Sequence, residues 1–289
     1  MSAVPDEASP LRWKLLVDGR LPGADNMARD ESLARVVSDA VEGDGTQVLP
    51  AFLRFYAWER PTLSFGRNEP ARSRFDADRL AEAGVDVIRR PTGGRAVLHD
   101  REVTYAVIVP ARALGGPRET YRRVNAVLAA GLAALGVPAE LAADEPTAPL
   151  DAGPCFDLPA GGEVVAHGRK LVGSAQARIR GALLQHGSIL MHDDQGRIGE
   201  LATPGSGVPE SGVSVSGSRS RPVALAELMA EPPRAEEVVN AVARAARDLA
   251  DRPEADWRAP HDDAMFALDA AFEAERRRHH LASDWIWRR

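Results

Sequence analysis

Apolar and polar positions along this 289-residue chain fall into short alternating runs separated by stretches of helical period. The run "WKLLVDG" (13–19) reads as a strand. "ADNMARDESLARVVSDAVEG" (24–43) reads as a helix, with Asp25 or Asn26 as N-cap and Gly43 as its stop. Two β-like runs follow at 51–59 and 62–69, parted by Arg60-Pro61. Residues 75–84 form a short helix closed by Gly84, and 85–110 read as strand, glycine loop, strand, tight turn and strand. Apolar residues at 124, 127, 128, 132 and 135 predict a helix over 119–136. A loop rich in Pro and small residues spans 142–154, and 163–179 and 182–191 read as paired strands, with His167-Gly168 as a turn. The Gly/Ser-rich segment 203–222 reads as mobile, either a linker or a lid. Helices around 234–251 and 261–281 finish the chain, the second with Met265, Leu268 and Phe272 on one face. Its basic end, "RRRHH" (276–280), reads as a solvated helix terminus that complements the dipole. This mixture predicts an α+β fold, with a central mixed, largely antiparallel sheet flanked by helices.

Charge and composition narrow the partners. The net charge of −6 and the pI near 5.7 leave no overall basic field for nucleic acid or an anionic membrane. No apolar run approaches the roughly 18 residues of a membrane span, and residues 1–12 read as a disordered leader without a signal-peptide pattern. A single cysteine, Cys155, excludes an internal disulfide and fits a reducing cytoplasm. One Cys and seven scattered His show no zinc spacing, so no metal is expected.

The basic residues are 34 arginines and only two lysines, Lys14 and Lys170. Where arginine has replaced lysine almost throughout, a remaining lysine is a candidate for chemistry that needs a primary amine. Lys14 reads as a leftover, and Lys170 as a candidate site residue.

Three stretches carry candidate chemistry. In "RRPTGGRAVLHD" (89–100), Gly93 and Gly94 permit positive φ and close backbone approach, with Arg89, Arg90, Arg95 and His99 around them. It is either a ligand loop or a plain Gly-Gly hairpin, and neither a P-loop nor a dinucleotide fingerprint. In "DAGPCFDLPAGGEVVAHGRKLVGSAQ" (151–176), Cys155 follows Pro154 in a loop rather than an apolar run. A thiol there needs a nearby cation to become a good nucleophile, and Lys170 is the candidate. A Cys–His pair with His99, His167 or His186 is formally open. In "LLQHGSIL" (183–190), His186-Gly187 inside a strand marks either a close approach beside a ligand or a bulge.

Assembled in this order, the motifs resemble the lipoate/octanoate transferase and ligase family, related in fold to biotin-protein ligases. "ADNMARDE", "PTLSFGRNE", "RRPTGGRAVLHD", "GRKLVGSAQAR" and "LLQHGSIL" carry the resemblance, which spans roughly residues 13–200. It implies a catalytic domain over 13–222 with a helical segment, 223–289, packed on it. Ligases of the family usually carry an Asn-Asp pair before the lysine strand, where this chain has Cys155-Phe156-Asp157. That substitution resembles the octanoyl-[acyl-carrier-protein]:protein N-octanoyltransferases, which use a cysteine thioester.

The resemblance therefore implies a cytoplasmic, monomeric transferase without a cofactor. Its donor would be octanoyl-acyl carrier protein, and its acceptor a lipoyl domain such as glycine cleavage H protein. Cys155 would be the nucleophile, and Lys170 would lower the cysteine pKa and polarise the acyl carbonyl. Arg90, Thr92, Gly93, Gly94, Arg95 and His99 would line the acyl pocket, with His186 and Gly187 closing it. Backbone N–H groups near Gly173-Ser174 or Gly93-Gly94 would supply oxyanion donors. The alternatives are an ATP- and Mg-dependent lipoate-protein ligase, an amidotransferase between lipoyl domains, and a non-catalytic binding relative.

Overall fold

Strand β1 (Leu11–Leu21) lies parallel to β2 (Leu49–Trp58), so the chain must cross over between them, and helix α1 (Gly23–Glu42) makes that crossover. The computed structural model describes residues 10–43, 48–143, 161–208, 221–249 and 264–289. After β2 come β3 (Thr62–Phe65), α2 (Ala77–Glu82), β4 (Asp86–Arg89), β5 (Val97–His99) and β6 (Glu102–Pro110). Helix α3 (Pro117–Ala133) leads to β7 (Ala139–Leu141), β8 (Val164–Ala166), β9 (Arg169–Ile179) and β10 (Ala182–Leu190). Helices α4 (Arg197–Leu201), α5 (Leu225–Leu228), α6 (Ala235–Ala245), α7 (Ala270–Leu281) and α8 (Ser283–Ile286) follow, with 3₁₀ turns at Ala246–Leu249 and Ala264–Phe266.

The strands form two sheets. A seven-stranded sheet has the order β1-β2-β6-β10-β9-β8-β7, antiparallel except at β1-β2. A three-stranded sheet has the order β4-β3-β5. One face of the large sheet packs Val103, Tyr105, Val107 and Leu183 against Val124, Leu128 and Leu132 of α3 and Val238 and Val242 of α6. The other face packs Phe52, Ala106 and Leu184 against Met27, Leu33 and Val37 of α1. This is the expected α+β arrangement. The strand pair at 163–191 also has the expected turn, since His167 and Gly168 both have positive φ (51° and 71°). The short β7, which extends the sheet edge, carried no signal in the sequence.

Several local expectations are corrected. Helix α1 starts at Gly23, behind Pro22, so Asp25 and Asn26 sit within its first turn instead of capping it. Their polar atoms have tertiary partners: Asn26 donates to the Leu21 and Ala57 carbonyls and accepts from Arg54, and Asp25 pairs with Arg277 at 2.8 Å. The 62–69 run is a strand only to Phe65. The final helix does not run unbroken to Leu281. A 3₁₀ turn at Ala264–Phe266 precedes it, and Asp269 caps a new start by accepting from the N–H groups of Ala271 and Phe272.

The basic end of α7 is not a solvated terminus. His280 is fully buried, with its ring nitrogens at 3.2 Å from Glu31 Oε2 and the Arg89 carbonyl. Arg276 also binds Glu31, and Arg29 of α1 reaches Glu273 at 2.7 Å. The segment clamps α1 and β4.

Burial works to raise the Glu31 pKa, but the His280 ring and the Arg276 guanidinium outweigh it, and the net value lies below the ordinary 4.5. A carboxyl with a depressed folded pKa stabilises the protein fully above its unfolded value, and that contribution is lost as pH falls through the folded value. Stability should therefore drop between about pH 5 and pH 3, more steeply in the wild type than in Glu31→Gln. Urea unfolding across that range checks this, and parallel slopes would contradict it.

Candidate active site

A cavity of about 420 Å³, including its mouth, lies between the α1-facing side of the large sheet and the small sheet. Each bordering element contributes for a structural reason. In β10, His186 and Ser188 point to the α1 side, and period two puts Gln185 on the opposite face. The small sheet adds Ser64, Val97 and His99, and β2 and α1 add Tyr56, Trp58 and Met27. Gly173, Ser174 and Ala175 of β9 complete the wall nearest the lysine strand.

Two buried imidazoles are each held between a carboxylate and a hydroxyl. His99 Nδ1 lies 2.8 Å from Glu102 Oε1 and its Nε2 lies 2.7 Å from Ser64 Oγ. Trp58 stacks on that ring, with centroids 4.0 Å apart. Glu102 Oε1 also accepts from Trp58 Nε1, Thr104 and Ser188 at 3.1, 2.6 and 2.7 Å. Burial works to raise the Glu102 pKa, but His99 and these hydroxyls hold it below the ordinary value.

His186 mirrors this arrangement, with Nε2 at 2.7 Å from Thr92 Oγ1 and Nδ1 at 3.2 Å from Asp30 Oδ2. Burial pushes the His186 pKa down against the pull of Asp30, which favours a neutral ring. Asp30 in turn pairs with the buried Arg54 at 2.7 Å. The cavity thus has polar groups in its walls that are already bonded to each other. An apolar chain entering it would meet ring faces and aliphatic edges, with few free donors.

The glycine loop is held by Arg90, whose guanidinium donates to the carbonyls of Ser64, Gly93 and Arg95 and to Ser64 Oγ. The close backbone approach occurs at Gly66 of "SFGR". A Cβ there would lie 1.8 Å from the Gly94 carbonyl oxygen, and Gly94 has φ of 92°. Gly93 has open space where its Cβ would be. Arg95 is buried, and its side chain makes no hydrogen bond among the described residues. At Gly187 the strand runs in unbroken register, without a bulge. A Cβ there would lie 2.1 Å from the Gly173 carbonyl and 2.8 Å from the Tyr105 ring.

Of the residues singled out in the sequence, Arg90, His99, Gly173, Ser174, His186 and Gly187 therefore line the cavity. Thr92 adjoins it through His186, while Gly93, Gly94 and Arg95 form the loop behind. Lys170 does not line it. It lies three residues before Gly173 on β9, buried, with Nζ donating to Glu163 Oε1 at 2.7 Å. Cys155 lies outside the described residues, as do 209–220 of the Gly/Ser-rich segment.

Glu163, Ser64, Trp58, Glu102 and Asp30 were not singled out. Only Glu163 left a readable signal: folding "EVVAHGRK" at its His-Gly turn brings a carboxylate back beside the lysine strand. Helix α3 supports this pair. Tyr121 OH reaches Glu163 Oε1 at 3.3 Å and the Ser174 carbonyl at 3.4 Å, and Asn125 joins Ser174 Oγ to the Gly162 carbonyl. A bonded path thus runs from the cavity wall to the lysine. Among the described residues, no three His, Cys, Asp or Glu side chains converge where a metal ion could sit. No helix among them is long and apolar enough to cross a membrane.

Known proteins resemble this chain in sequence and in fold. The octanoyltransferase LipM of Symbiobacterium thermophilum is 38% identical over 227 residues, covering 76% of this chain and 80% of the relative. That of Kyrpidia tusciae is 45% identical over 191 residues, 63% of this chain and 67% of its own. Among solved structures, a lipoate-protein ligase A bound with ATP superposes with a TM-score of 0.66 at 22% identity, covering 96% of this chain and 98% of that one. A bi-partite lipoate protein ligase of Thermoplasma acidophilum gives 0.64 at 20% identity, covering 96% of both chains. These two likenesses concern the fold. The family model of the lipoyl protein ligase A/B catalytic domain matches residues 22–247, and the chain belongs to that family.

Proposed function

We propose that the chain moves an octanoyl group from the thioester of an acyl carrier protein to a lysine of a lipoyl domain, such as glycine cleavage H protein, through a thioester on Cys155. The observation that carries the reading is the strand "GRKLVGSAQ", which holds a buried, carboxylate-bound Lys170 three residues from the wall of a mostly apolar cavity. The octanoyltransferase relatives support the choice of acyl group. "CFD" before that strand supports transfer through a thiol rather than activation by ATP.

In this reading Cys155 Sγ attacks the thioester carbonyl, and the phosphopantetheine thiol leaves with a proton. Thioester replaces thioester, so the step is nearly isoenergetic and draws on no cofactor. The ε-amine of the acceptor lysine then attacks the acyl-enzyme, forming an amide and returning the thiol, which is the downhill step. Lys170 stabilises the negative charge that develops on sulfur and on the carbonyl oxygen, and Glu163 holds it in place. The saturated chain lies along Trp58, Val97, Met27 and Ala175.

The test supplies a lipoyl domain with either octanoyl carrier protein without ATP, or free octanoate with Mg-ATP. Transfer in the first mixture, with neither transfer nor AMP in the second, is expected. The opposite pattern selects the ligase reading.

A further inference from the structure

The net charge of the chain is −6, yet one surface beside the cavity has the opposite sign. Arg67, Arg72, Arg288 and Arg289 are all exposed, and they come from segments bound to one another and to the glycine loop. The Arg67 N–H donates to the Thr92 carbonyl at 2.8 Å, and the N–H groups of Ala71 and Arg72 donate to the Arg289 carbonyl at 2.9 and 2.8 Å. Beneath them, buried Arg89 donates to the carbonyls of Ile286, Gly66 and Glu69, at 2.9, 2.5 and 2.9 Å. Its pKa falls to about 10, through burial first and then through Arg288, Arg90 and Arg289, against the pull of Glu69.

Several exposed arginines elsewhere on the protein are neutralised singly. Arg180 pairs with Asp39, Arg123 with Glu119 and Arg277 with Asp25. Among the described residues, none of the four cluster arginines pairs with a carboxylate. Neither side-chain carboxylate carried by these segments forms an ion pair with the four arginines among the described residues. Glu69 is buried and accepts from the N–H groups of Gly66 and Ala96, and Asp284 accepts from Trp285 N–H.

The cluster is also partly preorganised. Arg72 is held by the Trp287 carbonyl, and Arg288 lies over the Trp285 ring at 4.9 Å. Like charges gathered without a paired side-chain carboxylate repel one another, and that repulsion is relieved by an anionic partner. Guanidinium forks suit carboxylates and phosphodiesters bidentately.

We propose that this arginine surface docks the acidic face of the carrier protein that delivers the acyl thioester, including the phosphodiester of its prosthetic arm. The inference rests on the transferase reading. Charge selects the donor over the acceptor, because the acceptor brings a lysine ammonium that the same cluster repels. Position agrees: Thr92, to which Arg67 is bound, holds His186 in the cavity wall.

The experiment compares the wild type with Arg67→Glu/Arg288→Glu on two donors, octanoyl carrier protein and octanoyl-pantetheine. At low salt, kcat/KM for the carrier protein should fall about a hundredfold in the variant, against less than twofold for the small thioester. Added salt should depress the wild-type rate on the carrier protein and leave the variant rate nearly unchanged. Equal effects on both donors, no effect on either, or a loss confined to the KM of the acceptor would overturn the docking while leaving transfer intact. A wild type that uses neither donor would sink the transferase reading and the docking with it.

Discussion

Lys170→Arg leaves a folded protein whose transfer rate falls by about a hundredfold or more, the scale on which a positioned electrostatic donor acts. The side chain is 2% exposed and places one nitrogen 2.7 Å from Glu163. A guanidinium keeps the charge but spreads it over a larger plane, so it cannot aim one compact donor from the same backbone position. The misfit should cost about 1–3 kcal/mol of stability, which thermal unfolding will register without loss of the fold. Near-normal turnover would show that this lysine supplies only charge. Lys170→Met is the harsher variant, because it strands the Glu163 carboxylate in the interior. About 3–5 kcal/mol of destabilisation is expected there.

Gly66→Ala carries the second large effect. Its Cβ would sit 1.8 Å from the Gly94 carbonyl oxygen and 2.7 Å from the Gly94 carbonyl carbon, and both are backbone atoms that cannot rotate aside. The glycine loop must shift, and with it the carbonyls that Arg90 holds and the Thr92 hydroxyl that meets His186. A loss of about 3 kcal/mol in urea unfolding is expected, together with a marked rise in KM for the acyl donor. Gly93→Ala is the matched control, since nothing lies within 4 Å of its added Cβ. If both variants behave alike, the close approach at Gly66 does not shape the site.

Much of this arrangement was legible because it is local. Turn chemistry marked His167-Gly168, the His-Gly pair inside a strand drew attention to His186 and Gly187, and the rarity of lysine drew attention to Lys170. What escaped was set by tertiary partners. "RRRHH" looked like a solvated helix end because its main partner, Glu31, lies 249 positions from His280. Asp25 and Asn26 looked like helix caps because the residues they serve, Arg277 and Arg54, come from other elements. The glycine that permits close approach stands in "SFGR", not in the conspicuous Gly-Gly pair, because the approach is between two segments and no single run records it. Ser64, Glu102 and Asp30 act through buried histidines; Asp30 and Glu102 stand in charged runs, "RDE" and "HDRE", where one carboxylate is not distinguished from its neighbours.

The central claim is that Cys155 carries the acyl group, and weighing the intact protein tests it most directly. After incubation with octanoyl carrier protein and no acceptor, the wild type should gain the mass of one octanoyl group. Hydroxylamine should remove that mass, and Cys155→Ala should never acquire it. An adduct that persists in Cys155→Ala, or a wild type that transfers octanoate to a lipoyl domain without passing through an adduct, would contradict the account.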